Sequence, residues 1–570
     1  MVIRESIEKA VKEALEALGA GGASFVVSRP GELSHGDYAT NAALAAAKML
    51  KKNPREVAEL LQSALAKNLL EKNSSGSPQN FSQEDFSSAI EKIEVAGAGF
   101  INFFLSTDAI EKEILAASKD NSYGRNDLYA GKKIMVEYTD PNPFKEFHIG
   151  HLMSNAIGES IARLLSYSGA TVVRANYQGD VGPHVAKALY ILLEKNIDDP
   201  SIKDISAAYV EGATRYEENP ADKAAIDQLN KKIYEKSESQ VNALYAKGRA
   251  LTLEHFEELY KILGTKFDIY YFESETAPVG MQTVKAHPEI FVESEGATVF
   301  KGESYGLHTR VFLNSMGLPT YEAKDLGLVV EKQKQKCDEY IYITASEQSD
   351  YFKVVFLAMR LVFPNIEGKL VHRSHGMMRF ASGKMSSRLG NVVTGESLLM
   401  DLRAAAQEKM KEREVVDGER VASEVAVGAI KYAVLKQGTG KDIVFDPEKS
   451  LSLEGDSGPY LMYAHVRAVS LLKNISFAET IDSPLNGASN LLRLIVHYPD
   501  VIARAAEELE PHHVTTYLTE LASAFNSWYA AERAIVDGKI SIDAVILIKA
   551  VKNILESGLD ALGIKAPQEM

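Results

Sequence analysis

Apolar positions recur every three to four residues at the start of the chain. Ile3, Ile7, Val11, Ala14, Leu15 and Leu18 share one face of a helix predicted over 1–18, and charged residues take the other face. Similar spacing predicts helices over 41–50 and 54–70. The pattern then shortens to apolar runs at Ile93–Ala96 and Phe100–Leu105, which read as strands joined by a Gly97-Ala-Gly99 turn. Between helices and strands, the polar stretch Lys72–Gln83 reads as a surface loop. Residues 1–125 thus form a first, α+β unit.

From 126 to about 410, β-branched runs of strand length alternate with helical patterns. Ile134–Tyr138, Thr171–Asn176 and Tyr340–Thr344 are the strands. Their alternation with helices predicts an α/β domain with a doubly wound, Rossmann-type parallel sheet. A charged, helix-rich stretch near 188–263 reads as an inserted helical hairpin. Beyond about 415 strand signals stop. Helical patterns over Val421–Leu435, Gly458–Leu472, Leu491–Glu508, His513–Ala534 and Ala544–Leu562 predict a C-terminal α-helical bundle.

At 570 residues the chain has room for several cores, and its 45% hydrophobic and 25% charged content is ordinary for a soluble protein. The first helix lacks the continuous apolar core of a signal peptide, and no apolar run is long enough to span a bilayer. A single cysteine, Cys337, excludes an intramolecular disulfide and a multi-cysteine zinc site. These features predict a cytoplasmic protein with no membrane partner. The net charge of −15 argues mildly against nucleic acid, but a local basic stripe on an acidic protein can still meet phosphates.

The chemistry concentrates at His148-Ile-Gly-His151, which follows a strand and precedes a helical pattern from Leu152 to Leu165. A helix start offers free N–H groups and a favourable dipole to phosphate. Gly150 admits a close approach to the backbone, and imidazoles donate to phosphate oxygens. Strand, His-x-Gly-His and helix together read as a nucleotide site. A second motif, Ser382-Gly-Lys-Met-Ser-Ser-Arg-Leu-Gly-Asn391, carries Lys384 and Arg388 on a Gly/Ser-rich loop suited to a departing phosphate. Alone it reads as a solvated basic loop; beside the first motif the catalytic reading prevails.

The pair resembles the HIGH and KMSKS signatures of class I aminoacyl-tRNA synthetases, and the surrounding text resembles the arginyl-tRNA synthetases in particular. Val136-Glu-Tyr-Thr-Asp-Pro-Asn-Pro-Phe-Lys-Glu-Phe-His-Ile-Gly-His151 is similar to that family's first motif, and Lys384-Met-Ser-Ser-Arg388 to its variant of the second. Gly458-Pro-Tyr-Leu-Met-Tyr-Ala-His-Val-Arg467 resembles the opening of its anticodon-binding domain, and the ending Leu562–Met570 is also family-like. His35-Gly-Asp-Tyr-Ala-Thr-Asn41 and Gly97-Ala-Gly-Phe-Ile-Asn-Phe103 resemble its N-terminal tRNA-binding domain. The resemblance covers essentially the whole chain.

The resemblance implies four segments: 1–125, a tRNA-binding domain; 126–410, the catalytic domain with its insertion; 411–455, a connection touching the tRNA stem; and 456–570, the anticodon-binding bundle. It implies a ligase that attaches L-arginine to tRNA(Arg) through arginyl-adenylate, releasing pyrophosphate. ATP enters with Mg²⁺ as a substrate complex, without a dedicated protein metal site, and the enzyme is expected to act as a monomer. His148, Gly150 and His151 hold ATP, with Gly376 and Met378 beside the adenine. Three basic residues, Lys384, Arg388 and Lys145, compete for the main catalytic charge, because Ser387 stands where the commoner signature has lysine. Arginine binding falls to Glu137, Asn142, Tyr321, Asp325 and Gln348. Tyr321 and Asp325, four apart, share a helix face, with Thr320 as the N-cap. A planar, always charged guanidinium calls for carboxylates and an aromatic face. Asp140 stands where the family often has serine. Asp180, in Gly179-Asp-Val-Gly182, reads equally as a turn residue or a ligand.

The histidines His512 and His513 read as cap or surface groups, and Trp528 and Tyr529 as bundle core. Tyr460 and Tyr463 fit either the core or a tRNA face. Three rivals remain: a small-metabolite nucleotidyltransferase, a non-catalytic tRNA-binding paralogue, and another class I synthetase. The first would be shorter, the second would lose the nucleotide motifs, and a cysteinyl enzyme would need zinc cysteines.

Overall fold

A computed structural model describes residues 3–70, 86–381, 393–411, 417–475, 479–481, 489–532 and 539–570. The polar stretch Lys72–Gln83 and the motif Ser382–Asn391, with Lys384 and Arg388, lie outside the described residues. The chain divides into two units. One comprises Met1–Arg125, Tyr463–Arg504 and Thr516–Gly558; the other comprises Asn126–Met462, Ala505–Thr515 and Leu559–Met570.

In the first unit, the amphipathic pattern folds as expected into a helix, Ile3–Ala17, burying Ile7, Val11, Ala14 and Leu15. Four strands, β1 (Val27–Ser28), β2 (Tyr38–Thr40), β3 (Ile90–Ala96) and β4 (Phe100–Leu105), form an antiparallel sheet in the order β1-β2-β4-β3. Two residues of the His35–Asn41 motif prove structural. Buried Asp37 accepts the Leu105 N–H (2.8 Å) and pairs with Arg493 Nε (2.8 Å), while Tyr38 donates to Asp500 (2.7 Å). Arg493 and Asp500 belong to the helix Ser489–Glu508, so helical segments remote in sequence complete this unit. Trp528 is buried there and stacks on Phe525, as core; Tyr529 is half-buried.

The second unit is built on five parallel strands: β5 (Lys133–Glu137), β6 (Thr171–Gln178), β7 (Ile269–Phe272), β11 (Glu339–Ala345) and β12 (Leu370–His375). Their order is β12-β11-β5-β6-β7. Strand order reverses between β5 and β11, and the crevice at their carboxyl ends is where such sheets bind ligands. Helices Ile149–Tyr167 and Ser349–Val362 make two of the crossovers.

Two expectations need correction. The insertion is not a hairpin: β6 and β7 are separated by four helices, Pro183–Glu194, Ile202–Glu218, Pro220–Glu235 and Ser239–Leu263. The breaks have local causes. Ser201 and Asp204 form a capping box, and Asn219 caps the helix that begins at Pro220. Strands also occur where none was expected. Between β7 and β11, β8 (Phe291–Ser294), β9 (Ala297–Phe300) and β10 (Arg310–Leu313) form a three-stranded antiparallel sheet. Beyond 415, β14 (Ile443–Phe445) pairs with β13 (Met378–Phe380), and three-residue strands Glu479–Ile481 and Lys539–Ser541 pair with each other.

Helices Glu273–Ala286 and Tyr321–Gln333 cross at glycines. A Cβ on Gly280 would lie 1.8 Å from the Ala323 carbonyl oxygen, and one on Gly327 2.1 Å from that of Thr276. That close crossing brings Glu273 and Lys324 together. Among the described residues no helix is long and apolar enough to cross a membrane.

Candidate active site

The backbone leaves β5 through a tight, strained turn. Thr139 (φ 80°), Asp140 (φ 46°) and Phe144 (φ 66°) all adopt left-handed conformations. For a β-branched residue such as Thr139 that geometry is costly and persists only where the surroundings impose it. They do so by hydrogen bonds. Thr139 N–H donates to Ser154 Oγ (3.0 Å), which donates to the Ile343 carbonyl on β11 (2.9 Å). Asn155 donates to Thr139 Oγ1 and accepts from Thr265. Asp140 Oδ1 accepts the Tyr177 N–H of β6 (2.7 Å), and Asn142 Oδ1 accepts Gly179 N–H (3.1 Å). A Cβ on Gly179 would come 2.3 Å from Asn142 Oδ1, so this approach requires glycine. The carboxyl ends of β5, β6 and β11 are thereby laced around one opening.

His148 and His151 cap their own helix. His148 Nδ1 accepts His151 N–H (3.3 Å), and His151 Nδ1 accepts His148 N–H (3.2 Å). The two rings stack with centroids 3.4 Å apart. Since each Nδ1 accepts, the ring proton of each neutral histidine resides on Nε2. Burial and the neighbouring Lys145 charge push both pKa values down, His151 strongly, so neutral rings present Nε2–H donors. Two of the N–H groups expected to be free for phosphate are thus taken by the histidine caps. A Cβ on Gly150 would lie 3.0 Å from the His148 ring, a tight contact with this pair.

The opening is a cavity of about 630 Å³. Its lining includes Glu137, Asn142, His148, Gly150, His151, Tyr321, Asp325 and Gln348, all expected from sequence. Asp325 accepts the Tyr351 hydroxyl (2.6 Å), and burial pushes its carboxyl up to about 8. Tyr321, one turn earlier, leaves 56% of its surface exposed, so its ring is available to a ligand. Thr320 occupies the N-cap position without capping; its hydroxyl donates to the Val311 and Phe312 carbonyls instead.

Sequence reading missed the cations behind these acids. Glu137 lies 2.6 Å from Lys332 Nζ, a fully buried ammonium 3.6 Å from the Tyr342 ring centroid. Glu273, also on the cavity, pairs with buried Lys324 at 2.5 Å. Arg310 lies 3.7 Å from Glu322, another lining acid. Asp140 and Tyr177 line the cavity as well, and burial with the Glu137 charge raises the Asp140 pKa well above normal. The signal available was a basic residue seven positions after Asp325, on the same helix, but its partner on β5 is invisible to spacing.

Other expected residues lie elsewhere. Lys145 is not among the lining residues; its ammonium lies 5.3 Å from the Tyr209 ring centroid in the helical insertion. Gly376 and Met378 do not line the cavity either, although His375 does. Gly376 is buried against residues 441–442, where a Cβ would meet the Lys441 carbonyl at 2.3 Å. Asp180 resolves in favour of structure. Fully buried, it accepts from Ser274 N–H and Oγ (2.8 Å each), Tyr245 and Arg249 Nε (2.7 Å). His512 and His513, read as cap or surface groups, contact Glu510 (3.0 Å) and Glu508 (2.6 Å). Among the described residues no group of three His, Cys, Asp or Glu side chains is arranged to hold a metal. The chain returns after Ser382–Asn391 beside the histidines: Thr394 bridges His148, and Gly395 N–H donates to the Phe147 carbonyl (2.8 Å).

Comparison with known proteins matches three family descriptions along the chain. "tRNA synthetases class I (R), catalytic domain" covers residues 112–447, "Arginyl tRNA synthetase N terminal domain" 2–105, and "DALR anticodon binding domain" 461–570. An arginine–tRNA ligase of Clostridium botulinum is 30% identical over 96% of each chain. One from Lactobacillus delbrueckii is 31% identical over 95% of each. Among solved structures, the arginyl-tRNA synthetase of Thermus thermophilus superposes with a TM-score of 0.80, at 25% identity and full coverage of both chains.

Proposed function

The chain belongs to the arginyl-tRNA synthetases, and from that premise we propose which residues carry its reaction. The enzyme ligates arginine to tRNA through an adenylate formed from ATP. The observation that supports the assignment is convergence: residues from β5, the following turn and helix, Tyr321–Gln333 and the end of β11 meet in one cavity. Asp325, Tyr321 and Gln348 receive the guanidinium. Glu137 and Asn142 face the substrate's α-amino and carboxylate ends. The Nε2–H groups of His148 and His151 hold the triphosphate, with Gly150 admitting it. Gly376 and Met378 support the adenine from behind His375.

Catalysis is positioning and electrostatics. Lys384 and Arg388 precede Thr394, which bridges His148, and they neutralise the departing pyrophosphate together with Lys145. Mg²⁺ enters with ATP as part of the substrate. Residues 1–125 bind tRNA(Arg) as the N-terminal domain, 411–455 contact its stem, 456–570 bind its anticodon, and the enzyme works as a cytoplasmic monomer. ATP–pyrophosphate exchange with each amino acid, with and without tRNA, tests the reading. Arginine alone is expected to support exchange; exchange with another amino acid in its place overturns it.

The raised acid of Asp325 has a measurable consequence. A guanidinium needs the carboxylate, so below about pH 8 arginine must displace a proton. Affinity then weakens as pH falls, by up to about tenfold per unit, and levels off above the pKa. Calorimetry in buffers of different ionisation heat is expected to show proton release at pH 7. An affinity flat from pH 6 to 9 without proton release contradicts the assignment.

A further inference from the structure

A second cavity, of about 1020 Å³, lies in the same unit as the active-site cavity of about 630 Å³. The two share no lining residue. Its walls come from the insertion helices Pro220–Glu235 and Ser239–Leu263 and from the helix Glu273–Ala286. Much of the lining is apolar: Ile233, Ala277, Pro278, Met281 and Leu318. Tyr234 and Tyr245 add half-buried rings. A largely apolar cavity of this size with a few polar groups suits a single small organic molecule.

The charges around it are one-sided. Lys236, Arg249 and Lys285 line it, against the single acid Glu235. Arg249 is committed to buried Asp180 at 2.7 Å, and Glu235 lies 3.8 Å from Lys231. Lys236 and Lys285 are exposed, and among the described residues neither has an ion pair within 4 Å. Lys236 follows the helix Pro220–Glu235, and Lys285 stands in the last turn of Glu273–Ala286. A helix C-terminus favours a cation, so both ammonium groups stay protonated. In a chain of net charge −15, two unbalanced cations beside an apolar cavity select an anion with an apolar body. An inorganic anion would gain nothing from the apolar lining, and a neutral hydrocarbon nothing from the lysines. A nucleic-acid strand would call for a longer cationic track than two lysines.

We propose that this cavity binds a small organic anion, an apolar body carrying a carboxylate, sulfonate or phosphate that Lys236 and Lys285 hold at its edge. The site is separate from the one that carries the reaction, and it does not depend on which residues perform that reaction. Arg249, Tyr245 and Ser274 line it and also hold Asp180, the neighbour of Gly179. Gly179 in turn lines the active-site cavity and donates to Asn142. A ligand here rests against residues that fix one side of the active site.

The test titrates the full chain, by fluorescence, with two probes that differ only in the anion: 8-anilinonaphthalene-1-sulfonate and N-phenyl-1-naphthylamine. The sulfonate is expected to occupy one high-affinity site per chain and to stay bound when ATP and L-arginine are saturating. Replacing both lysines, Lys236→Gln with Lys285→Gln, is expected to weaken the sulfonate about 4- to 25-fold, about two- to fivefold for each exposed pair, and the neutral probe by less than about twofold. Ala246→Trp puts an indole into the lining and is expected to weaken both probes about tenfold or more, the worth of one buried side chain. Gln282→Trp, from the helix Glu273–Ala286, gives the same loss should Ala246→Trp not fold. Native thermal midpoints and parental pyrophosphate exchange show that the variants are intact. Equal weakening of both probes by the lysine replacements, or no weakening by either tryptophan, overturns the proposal. Displacement by ATP or L-arginine assigns the probe to the active-site cavity, and displacement by tRNA assigns the second cavity to the tRNA path; either outcome overturns it as well.

Discussion

Replacing Asp325 with alanine is expected to lower kcat/KM for arginine roughly 200- to 4,000-fold, with arginine-dependent pyrophosphate exchange falling to near background. The estimate is the loss of one partner from a buried charge pair, about 3–5 kcal/mol. A guanidinium placed against Tyr321 and Tyr351 without an acid has exchanged water for nothing equivalent. The same logic gives selectivity, since neutral analogues would leave Asp325 unpaired. Folding is expected to survive. The raised pKa of Asp325 reports that the cavity disfavours its charge, so the acid is held for ligand rather than for stability. The thermal midpoint should stay within a few degrees while the KM for arginine rises. An unchanged KM for arginine would sink the assignment.

The double replacement of His148 and His151 by alanine is expected to cut adenylate formation about 1,000-fold. One preorganised donor to developing charge is worth about 10²–10³ in rate, and two donors on the same triphosphate do not add independently. This pair has a second role. Each Nδ1 caps the helix Ile149–Tyr167, so the variant should also lose about 1–2 kcal/mol of stability. His148→Asn separates the roles, because asparagine is a good N-cap but does not place a donor where Nε2 was. It should melt near the parent and still exchange poorly. Transfer RNA binding, measured by filter retention, should be spared in both. A parental exchange rate in the double variant would remove the histidines from the reaction.

Much of the fold was legible because its signals are local. The 3.6-residue period of Ile3–Ala17 and the β-branched runs of β5, β6 and β11 can be read without neighbours, and each element appears within a few residues of its expected span. The insertion was misread although its signals were also local: Ser201 with Asp204, and Asn219 before Pro220, divide helices that hydrophobic period alone runs together. The sheet β8–β10 had weaker cues. Its strands are four residues each, and outward-facing polar residues such as Glu293 and Thr298 break up the apolar run. Strands β13 and β14 are three residues each and pair across more than sixty positions, beyond any window of periodicity.

The candidate site divides along the same line. Sequence by itself determined the residue types and their local geometry: histidines at an N-cap, Tyr321 and Asp325 on one helix face, glycine where backbones approach. These follow from spacing and from the fixed pitch of a helix. Tertiary structure alone decided which acids are free to act. Glu137 with Lys332, Glu273 with Lys324 and Asp180 with Arg249 join residues far apart in the chain. Charge interactions depend on distance through space and on removal from water, and neither is written in spacing along the chain. Packing of the Tyr321–Gln333 helix brought Lys332 to Glu137, the helices Glu273–Ala286 and Ser239–Leu263 closed around Asp180 through Ser274, Tyr245 and Arg249, and Asp325 was left with no ion pair within 4 Å among the described residues.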